Sequence, residues 1–229
     1  MRREIIPWEG GKALIYVPDA LPKGQQHPIL CFLHGAGENA LDDAGNDRGI
    51  DIVANNGSPA LHAAADMPFV RDFLVVCPQL LRRGHWTDLH AAQVGALVDK
   101  VADERGGDRG RCHLTGFSYG GRGVFVFAHA KPGRWSSLWA VTPAVQQEAT
   151  PPPARDKRVF LHFGEPDEVV PAQAVRDFVA KWPPAAGGVG RVERALLSGI
   201  PPSRASHGHT PILAYMDPEP YAWLRAVPG

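Results

Sequence analysis

The pentapeptide Gly116-x-Ser118-x-Gly120 follows an apolar run that predicts a buried strand and precedes an apolar run that predicts a helix. At such a junction the pattern is typical of a nucleophile elbow, a tight turn that presents a serine hydroxyl at the edge of a sheet. A side chain at either glycine would collide with the neighbouring element. The N–H groups at the start of the following helix would face a developing oxyanion. The sequence therefore predicts Ser118 as a nucleophile.

A serine hydroxyl is a poor nucleophile at neutral pH, so it needs a base to take its proton and a carboxylate to orient that base. Asp167 comes just after the apolar run 158–164, and His207 and His209 lie on the loop that follows the last predicted strand. Imidazole has a pKa near ~6.5, which suits a base working at neutral pH. Since each of these residues follows a strand, we expect them to meet Ser118 at one edge of the sheet.

The apolar run 29–33 leads directly into His34-Gly35-Ala36-Gly37. Glycines in such a turn leave backbone N–H groups facing outward, as the stabilisation of a tetrahedral oxyanion requires. We predict the N–H groups of Ala36 and Tyr119 as the two donors, with His34 in a structural role; the alternative is a plain turn after the strand. Candidate substrate contacts are Gly35, Trp86 and Phe117, for which the alternative is ordinary packing.

Strands alternate with helices along most of the chain, and the strands are apolar on both faces, which predicts an α/β fold with a doubly wound, mostly parallel sheet in one domain, residues 1–229. Pro78-Gln79 is expected to end the third strand, and Ser198 to Gly208 to form the loop after the last. The predicted strands are 13–17, 29–33, 73–77, 111–115, 137–142, 158–164 and 192–197, and the predicted helices are 91–105, 124–130, 172–182 and 221–225.

The 229 residues carry a formal net charge of zero, which gives no reason to expect a nucleic-acid partner or an anionic membrane surface. No run approaches the ~18 apolar residues of a membrane span, and the two arginines near the N-terminus are not followed by the apolar stretch of a secretory signal. The three cysteines lie in apolar, strand-like runs, which predicts buried thiols in a reducing compartment such as the cytoplasm. The alternative of a metal site remains for the four aspartates between 42 and 51 and for the pair His207 and His209; we expect neither a metal nor an organic cofactor.

The motifs resemble those of compact esterases in the α/β-hydrolase superfamily. The resemblance is strongest to the group of polyhydroxybutyrate-depolymerase-like and phospholipase/carboxylesterase-like enzymes, some of them labelled predicted peptidases. It extends over about residues 13 to 225, and its matching segments are 32–38, 77–79 with Trp86, 114–121, 164–171, and 208–209 with 215–224.

The resemblance implies a Ser-Asp-His triad, and its usual Gly-His pattern matches Gly208-His209, so we predict Ser118, Asp167 and His209 as the catalytic residues. Where the family usually has a tryptophan shortly after this histidine, the chain has Thr210-Pro211. Only about residues 143–157 separate the strands that flank a lipase lid, so no large lid is expected. The implied activity is hydrolysis of a small-molecule carboxylic ester through an acyl-enzyme. Thioester or peptide cleavage, acyl transfer, and a non-catalytic binding module are the alternatives.

Overall fold

The computed structural model describes residues 1–19, 24–183, 191–196 and 207–226. This part of the chain forms one eight-stranded sheet in the order β1-β2-β4-β3-β5-β6-β7-β8. Strand β2 pairs antiparallel with β1 and β4, and all other pairs are parallel. The predicted mostly parallel sheet is therefore confirmed. The strands are β1 (Arg2–Trp8), β2 (Gly11–Val17), β3 (His27–Leu33), β4 (Leu74–Leu80), β5 (Gly107–Phe117), β6 (Ser137–Val141), β7 (Arg158–Gly164) and β8 (Arg191–Leu196).

Helices cover both faces of the sheet, as a doubly wound fold requires. One layer contains α2, α3 and α4, and the other contains α1, α5, α6 and a short 3₁₀ helix. The 3₁₀ helix is Ile50–Ala54, and the α-helices are α1 (Pro59–Ala64), α2 (Asp88–Arg105), α3 (Tyr119–Ala130), α4 (Ala172–Ala180), α5 (His209–Met216) and α6 (Pro218–Arg225).

The central strands divide their side chains between the two apolar layers. Within β3, Ile29, Cys31 and Leu33 enter the layer of α2 and α3, while Leu30 and Phe32 enter the layer of α5 and α6. All five are buried, because successive strand residues point to opposite faces and both faces are covered. This explains why the central strands read as uninterrupted apolar runs in the sequence.

Among the differences from the predictions, three concern the sheet and the segment next to the candidate base. Strand β1 was not predicted; it is an edge strand in which Arg2, Arg3, Ile5 and Pro7 are exposed. Strand β4 does not end at Pro78 but continues to Leu80. Proline has no backbone N–H to donate within a sheet. Because β3 pairs with β4 only as far as Val76, Pro78 lies beyond this pairing and interrupts no hydrogen bond between the two strands. Helix α5 begins at His209, where a loop was predicted.

No lid domain separates β6 from β7, since residues 142–157 form a short connection that runs along α3. Among the described residues, no helix has the length and the apolar character needed to cross a membrane. Most of the predicted loop 198–208 lies outside the described residues, but His207 and Gly208 at its end are described.

Candidate active site

Ser118 occupies the turn between β5 and α3 in a strained conformation, with φ 56° and ψ −114°. Non-glycine residues avoid positive φ, and such strain collects at functional sites. The turn is fixed by hydrogen bonds from Ser118 N to Val141 O, at 3.0 Å, and from Ala144 N to Ser118 O, at 3.1 Å. A Cβ on Gly120 would lie 1.8 Å from the Leu33 carbonyl oxygen, so only glycine allows the helix to approach the sheet this closely.

The hydroxyl of Ser118 belongs to a hydrogen-bonded chain of three side chains. His207 Nε2 lies 2.9 Å from Ser118 Oγ. On the other side of the ring, His207 Nδ1 lies 2.9 and 3.0 Å from the two carboxylate oxygens of Asp167. Because the carboxylate can only accept, the proton of a neutral imidazole is on Nδ1, which leaves Nε2 to accept from the serine. The arrangement can therefore deprotonate Ser118 and stabilise the resulting imidazolium.

Asp167 is held by donors on both of its oxygens. Oδ1 accepts from the N–H groups of Val169 and Val170, at 2.9 and 2.8 Å, and Oδ2 accepts from the Thr142 hydroxyl at 2.7 Å. Burial acts to raise the pKa of this carboxyl, but the hydrogen bonds from His207, Val170 and Thr142 outweigh burial and lower the pKa below 3.8. Asp167 is therefore ionised across the neutral range, as the orientation of an imidazole requires.

The prediction of His209 as the base is wrong, since His207 occupies that place. His209 is the first residue of α5, and its side chain is exposed. Gly208 caps the helix and Pro211 lies in its first turn, where proline is readily accommodated. Pro211 was therefore a sequence signal that a helix begins near His209.

Two further contacts fix His207. Its backbone N–H lies 3.1 Å from each carboxylate oxygen of Glu168, the neighbour of Asp167. The ring packs against the ring of Phe117, with centroids 4.8 Å apart. Glu168 and Thr142 were not predicted as site residues. No local sequence pattern marks them, because their roles arise from the meeting of β6, β7 and the segment before α5.

The turn after β3 is organised by the imidazole of His34. Its Nε2 accepts from the N–H of Leu80 at 3.0 Å, so the ring proton is on Nδ1 and is donated to the Gly35 carbonyl at 2.6 Å. The indole N–H of Trp86 donates to the His34 carbonyl at 3.0 Å. Burial lowers the pKa of His34 to about 4, although the bond to Gly35 acts in the opposite direction. A second proton would face the Leu80 N–H, so this histidine remains neutral.

Glu38 ties the same turn to the loop before α1. Its side chain accepts from the Asn56 amide, and its carbonyl accepts from Gln79 Nε2 at 3.0 Å. Burial raises the pKa of Glu38, while the Asn56 bond, the backbone and the charge of Arg48 oppose that rise. The turn is thus held from the sheet and from the neighbouring loop.

The two predicted oxyanion donors belong to two different elements, the start of α3 and the turn after β3. Tyr119 is the first residue of α3, so its N–H has no acceptor within the helix. Ala36 is half-buried and follows His34, whose carbonyl lies beside Gly120. Both are positioned by elements that meet at Ser118.

The three predicted substrate contacts, Gly35, Trp86 and Phe117, are buried in the structure, and their contact with substrate stays a prediction. Trp86 has no exposed surface and supports the turn through its bond to His34. Phe117 is 5% exposed and lies between Gly35 and the His207 ring.

A second group of contacts lies beside the elbow, on the side of α3. The Tyr119 ring stacks on His85, with centroids 4.2 Å apart, and His85 Nε2 lies 3.4 Å from Glu148. Arg122, one turn after Ser118, lies 2.8 Å from the same carboxylate and donates to the Ala149 carbonyl at 2.9 Å. These contacts hold the connection between β6 and β7 against the site.

Within the described residues, no group of three histidine, cysteine or carboxylate side chains is placed to hold a metal ion. Asp42, one of the four aspartates considered for such a site, accepts hydrogen bonds from its own loop. The three cysteines are free and buried, as predicted, and burial raises the pKa of each thiol.

Residues 9–186 match the model of the family named Esterase, described as "Putative esterase". The chain belongs to the Esterase family. Membership agrees with the resemblance to the α/β-hydrolase superfamily found in the sequence.

The fold is similar to that of solved esterases and serine hydrolases. A thermostable esterase shares 21% identity at a TM-score of 0.70, and the chain covers 62% of its length while 98% of this chain is aligned. A lidless α/β serine hydrolase from Xanthomonas campestris shares 18% identity at a TM-score of 0.60, with 99% of this chain and 96% of that chain covered. At these identities the likeness concerns the fold.

One curated relative is a 2-hydroxy-6-oxononadienedioate/2-hydroxy-6-oxononatrienedioate hydrolase from Burkholderia vietnamiensis. It is 30% identical over 121 residues, which is 50% of this chain and 36% of the relative. The chain therefore matches about a third of the length of that protein.

Proposed function

We propose that the protein hydrolyses carboxylic esters through an acyl-enzyme, with Ser118, His207 and Asp167 as a catalytic triad. The observation that carries this proposal is the position of the His207 ring, which lies within hydrogen-bond distance of both the serine hydroxyl and the buried carboxylate. Membership of the Esterase family supports the same reaction.

In the first half-reaction, Ser118 Oγ attacks the ester carbonyl while His207 Nε2 takes its proton. The N–H groups of Tyr119 and Ala36 donate to the oxyanion that forms, and Asp167 stabilises the imidazolium. His207 then returns the proton to the departing alcohol, and the acyl group remains on Ser118. In the second half, His207 takes a proton from water as the water oxygen attacks the acyl carbonyl, and the proton then passes to Ser118 Oγ as the acid leaves.

The proposal is tested with purified protein and a p-nitrophenyl ester of a short acid. Wild-type protein should release nitrophenol, and an acyl adduct on the peptide containing Ser118 should be detected by mass spectrometry after rapid acid quenching. Ser118→Ala should form no adduct and should lower kcat by about three to six orders of magnitude, while keeping the thermal stability of the wild type. Turnover near the wild-type value in Ser118→Ala would exclude the mechanism.

The same three groups can also cleave thioesters and peptides or transfer an acyl group to an acceptor other than water. Product analysis with and without an added alcohol or amine distinguishes hydrolysis from transfer. A fluorophosphonate that labels Ser118 excludes the alternative of a non-catalytic binding module.

A further inference from the structure

A cavity of about 230 Å³ opens beside the turn that follows β3. Ala36, whose N–H is one of the two proposed oxyanion donors, lies on its wall. A substrate whose carbonyl oxygen accepts from that N–H would lie next to a residue of the cavity wall. The volume suits a short arm rather than a long acyl chain.

The cavity is lined by two arginines, Arg48 and Arg83. Within the described part of the chain, neither guanidinium lies within the 4.0 Å of a carboxylate that defines an ion pair. Arg122, which borders the other side of the elbow, is by contrast paired with Glu148 at 2.8 Å. A guanidinium offers five donors in a planar fork that matches a carboxylate. The charge of Arg48 also acts on the buried carboxylate of Glu38. Since neither arginine makes a direct ion pair in the described part of the chain, both can still donate to an anionic ligand.

Two aspartates also line the cavity, and they differ in what their carboxylates do. Asp42 accepts from the N–H groups of Ala44 and Asn46 and from the Asn46 amide, at 2.8 to 2.9 Å, so its charge is directed into its own loop. Asp43 is exposed, and its negative charge lines the same cavity as the two arginines. Its removal should therefore strengthen anion binding.

We infer that this cavity is an anion subsite in which Arg48 and Arg83 bind a carboxylate carried by the ester substrate, an inference that rests on the proposed esterase function. The substrate class is then either a half-ester of a short dicarboxylic acid, with the carboxylate on the acyl side, or an ester of a short hydroxy acid, with the carboxylate on the alcohol side. Both place a negative charge a few bonds from the reacting carbonyl.

The kinetic experiment compares kcat/KM for three matched esters: a methyl half-ester of glutaric acid, a butyrate ester of glycolic acid, and neutral methyl butyrate. Wild-type protein should prefer one of the two anionic esters to the neutral one, and the preferred ester identifies the side that carries the charge. Arg48→Ala and Arg83→Ala should each lower the ratio of anionic to neutral kcat/KM by roughly five- to tenfold, as expected for a charge-assisted hydrogen bond near the surface.

The matched control is Arg82→Ala, which removes the same charge from the neighbouring exposed position outside the cavity. This variant should keep the wild-type ratio, whereas Asp43→Asn should raise it. Increasing the ionic strength from about 0.05 to about 0.5 M should reduce the wild-type preference, because exposed charges are screened. An unchanged ratio in the double variant of Arg48 and Arg83 would overturn the inference.

Direct binding separates failure of the subsite from failure of the proposed reaction. Calorimetric titration of the Ser118→Ala protein with glutarate should show binding that is lost in the double arginine variant, whatever the protein cleaves. If wild type cleaves none of the three esters but glutarate binding depends on the arginines, the esterase proposal fails and the subsite stands. If the neutral ester is cleaved and glutarate does not bind, the subsite fails and the esterase proposal stands.

Discussion

Protonation of His34 should couple the stability of the protein to pH. The ring is 2% exposed, and it donates to the Gly35 carbonyl while accepting from the Leu80 N–H. A second proton, on Nε2, would turn this acceptor into a donor that faces the N–H of Leu80, and their hydrogen bond would be lost. Burial accordingly lowers the pKa of His34 from 6.5 to about 4.

The folded protein thus binds this proton less tightly than the unfolded chain does, so protonation favours unfolding. The stabilisation is complete above about pH 6.5 and is lost as the pH falls from there towards 4. The difference between the two pKa values corresponds to about 3 kcal/mol of unfolding free energy. His113, whose pKa burial lowers to about 3, adds a loss in the same direction, so the contribution of His34 must be taken as a difference between proteins.

The assay is urea unfolding followed by fluorescence at pH 7.5 and at pH 4.5, on wild type and on His34→Gln. Glutamine can offer an acceptor to Leu80 but does not titrate. The variant is expected to be less stable at pH 7.5, yet to lose about 2 to 3 kcal/mol less than wild type between the two pH values. His129→Gln, which removes an exposed histidine from α3, is the control and should follow wild type. If wild type and His34→Gln lost the same unfolding free energy between the two pH values, protonation of His34 would not be a cause of the loss.

Three further perturbations test how the site is held together. Thr142→Val removes one donor to Asp167 and should lower kcat about tenfold with little change in KM, whereas Thr142→Ser should largely restore kcat; steady-state kinetics on both variants decides this. Glu168→Ala should lower kcat several-fold, and Glu168→Gln, which keeps one acceptor for the His207 N–H, should lower it less; equal effects would show that the backbone contact is unimportant. Gly120→Ala places a Cβ 1.8 Å from a backbone oxygen and should prevent folding or lower the free energy of unfolding by several kcal/mol. Gly95→Ala adds a Cβ to α2 that meets no neighbouring element, so it should raise the free energy of unfolding by about 0.5 to 1 kcal/mol in thermal unfolding.

The sheet could be predicted because its central strands are apolar on both faces. The bounds of β7, Arg158–Gly164, were obtained from the sequence alone, since a mostly apolar run ends there at a glycine that is followed by acidic residues. Strand β1 could not be found this way. Its charged and apolar residues are mixed around Pro7, and it is stabilised by pairing with β2 rather than by burial of its own side chains.

The site could be predicted as far as local patterns specify it. Ser118 is fixed by its flanking glycines, and Asp167 by its position after a strand. The choice between His207 and His209 depends on where α5 begins, and the Gly-His pattern gave the wrong residue. Thr142 carries no local signal, because its contact with Asp167 arises only when β6 and β7 lie side by side.

Activation of the Ser118 hydroxyl by His207 is tested most sharply by kinetics on two variants, His207→Ala and His209→Ala. Their kcat/KM values for an ester are measured in parallel with that of wild type. Each variant removes one histidine side chain. His207 contacts the serine hydroxyl, whereas His209 lies two residues later at the exposed start of α5. His207→Ala should lose at least about three orders of magnitude of kcat/KM, while His209→Ala should stay within a few-fold of wild type. The reverse pattern, with activity retained in His207→Ala and lost in His209→Ala, would contradict the account.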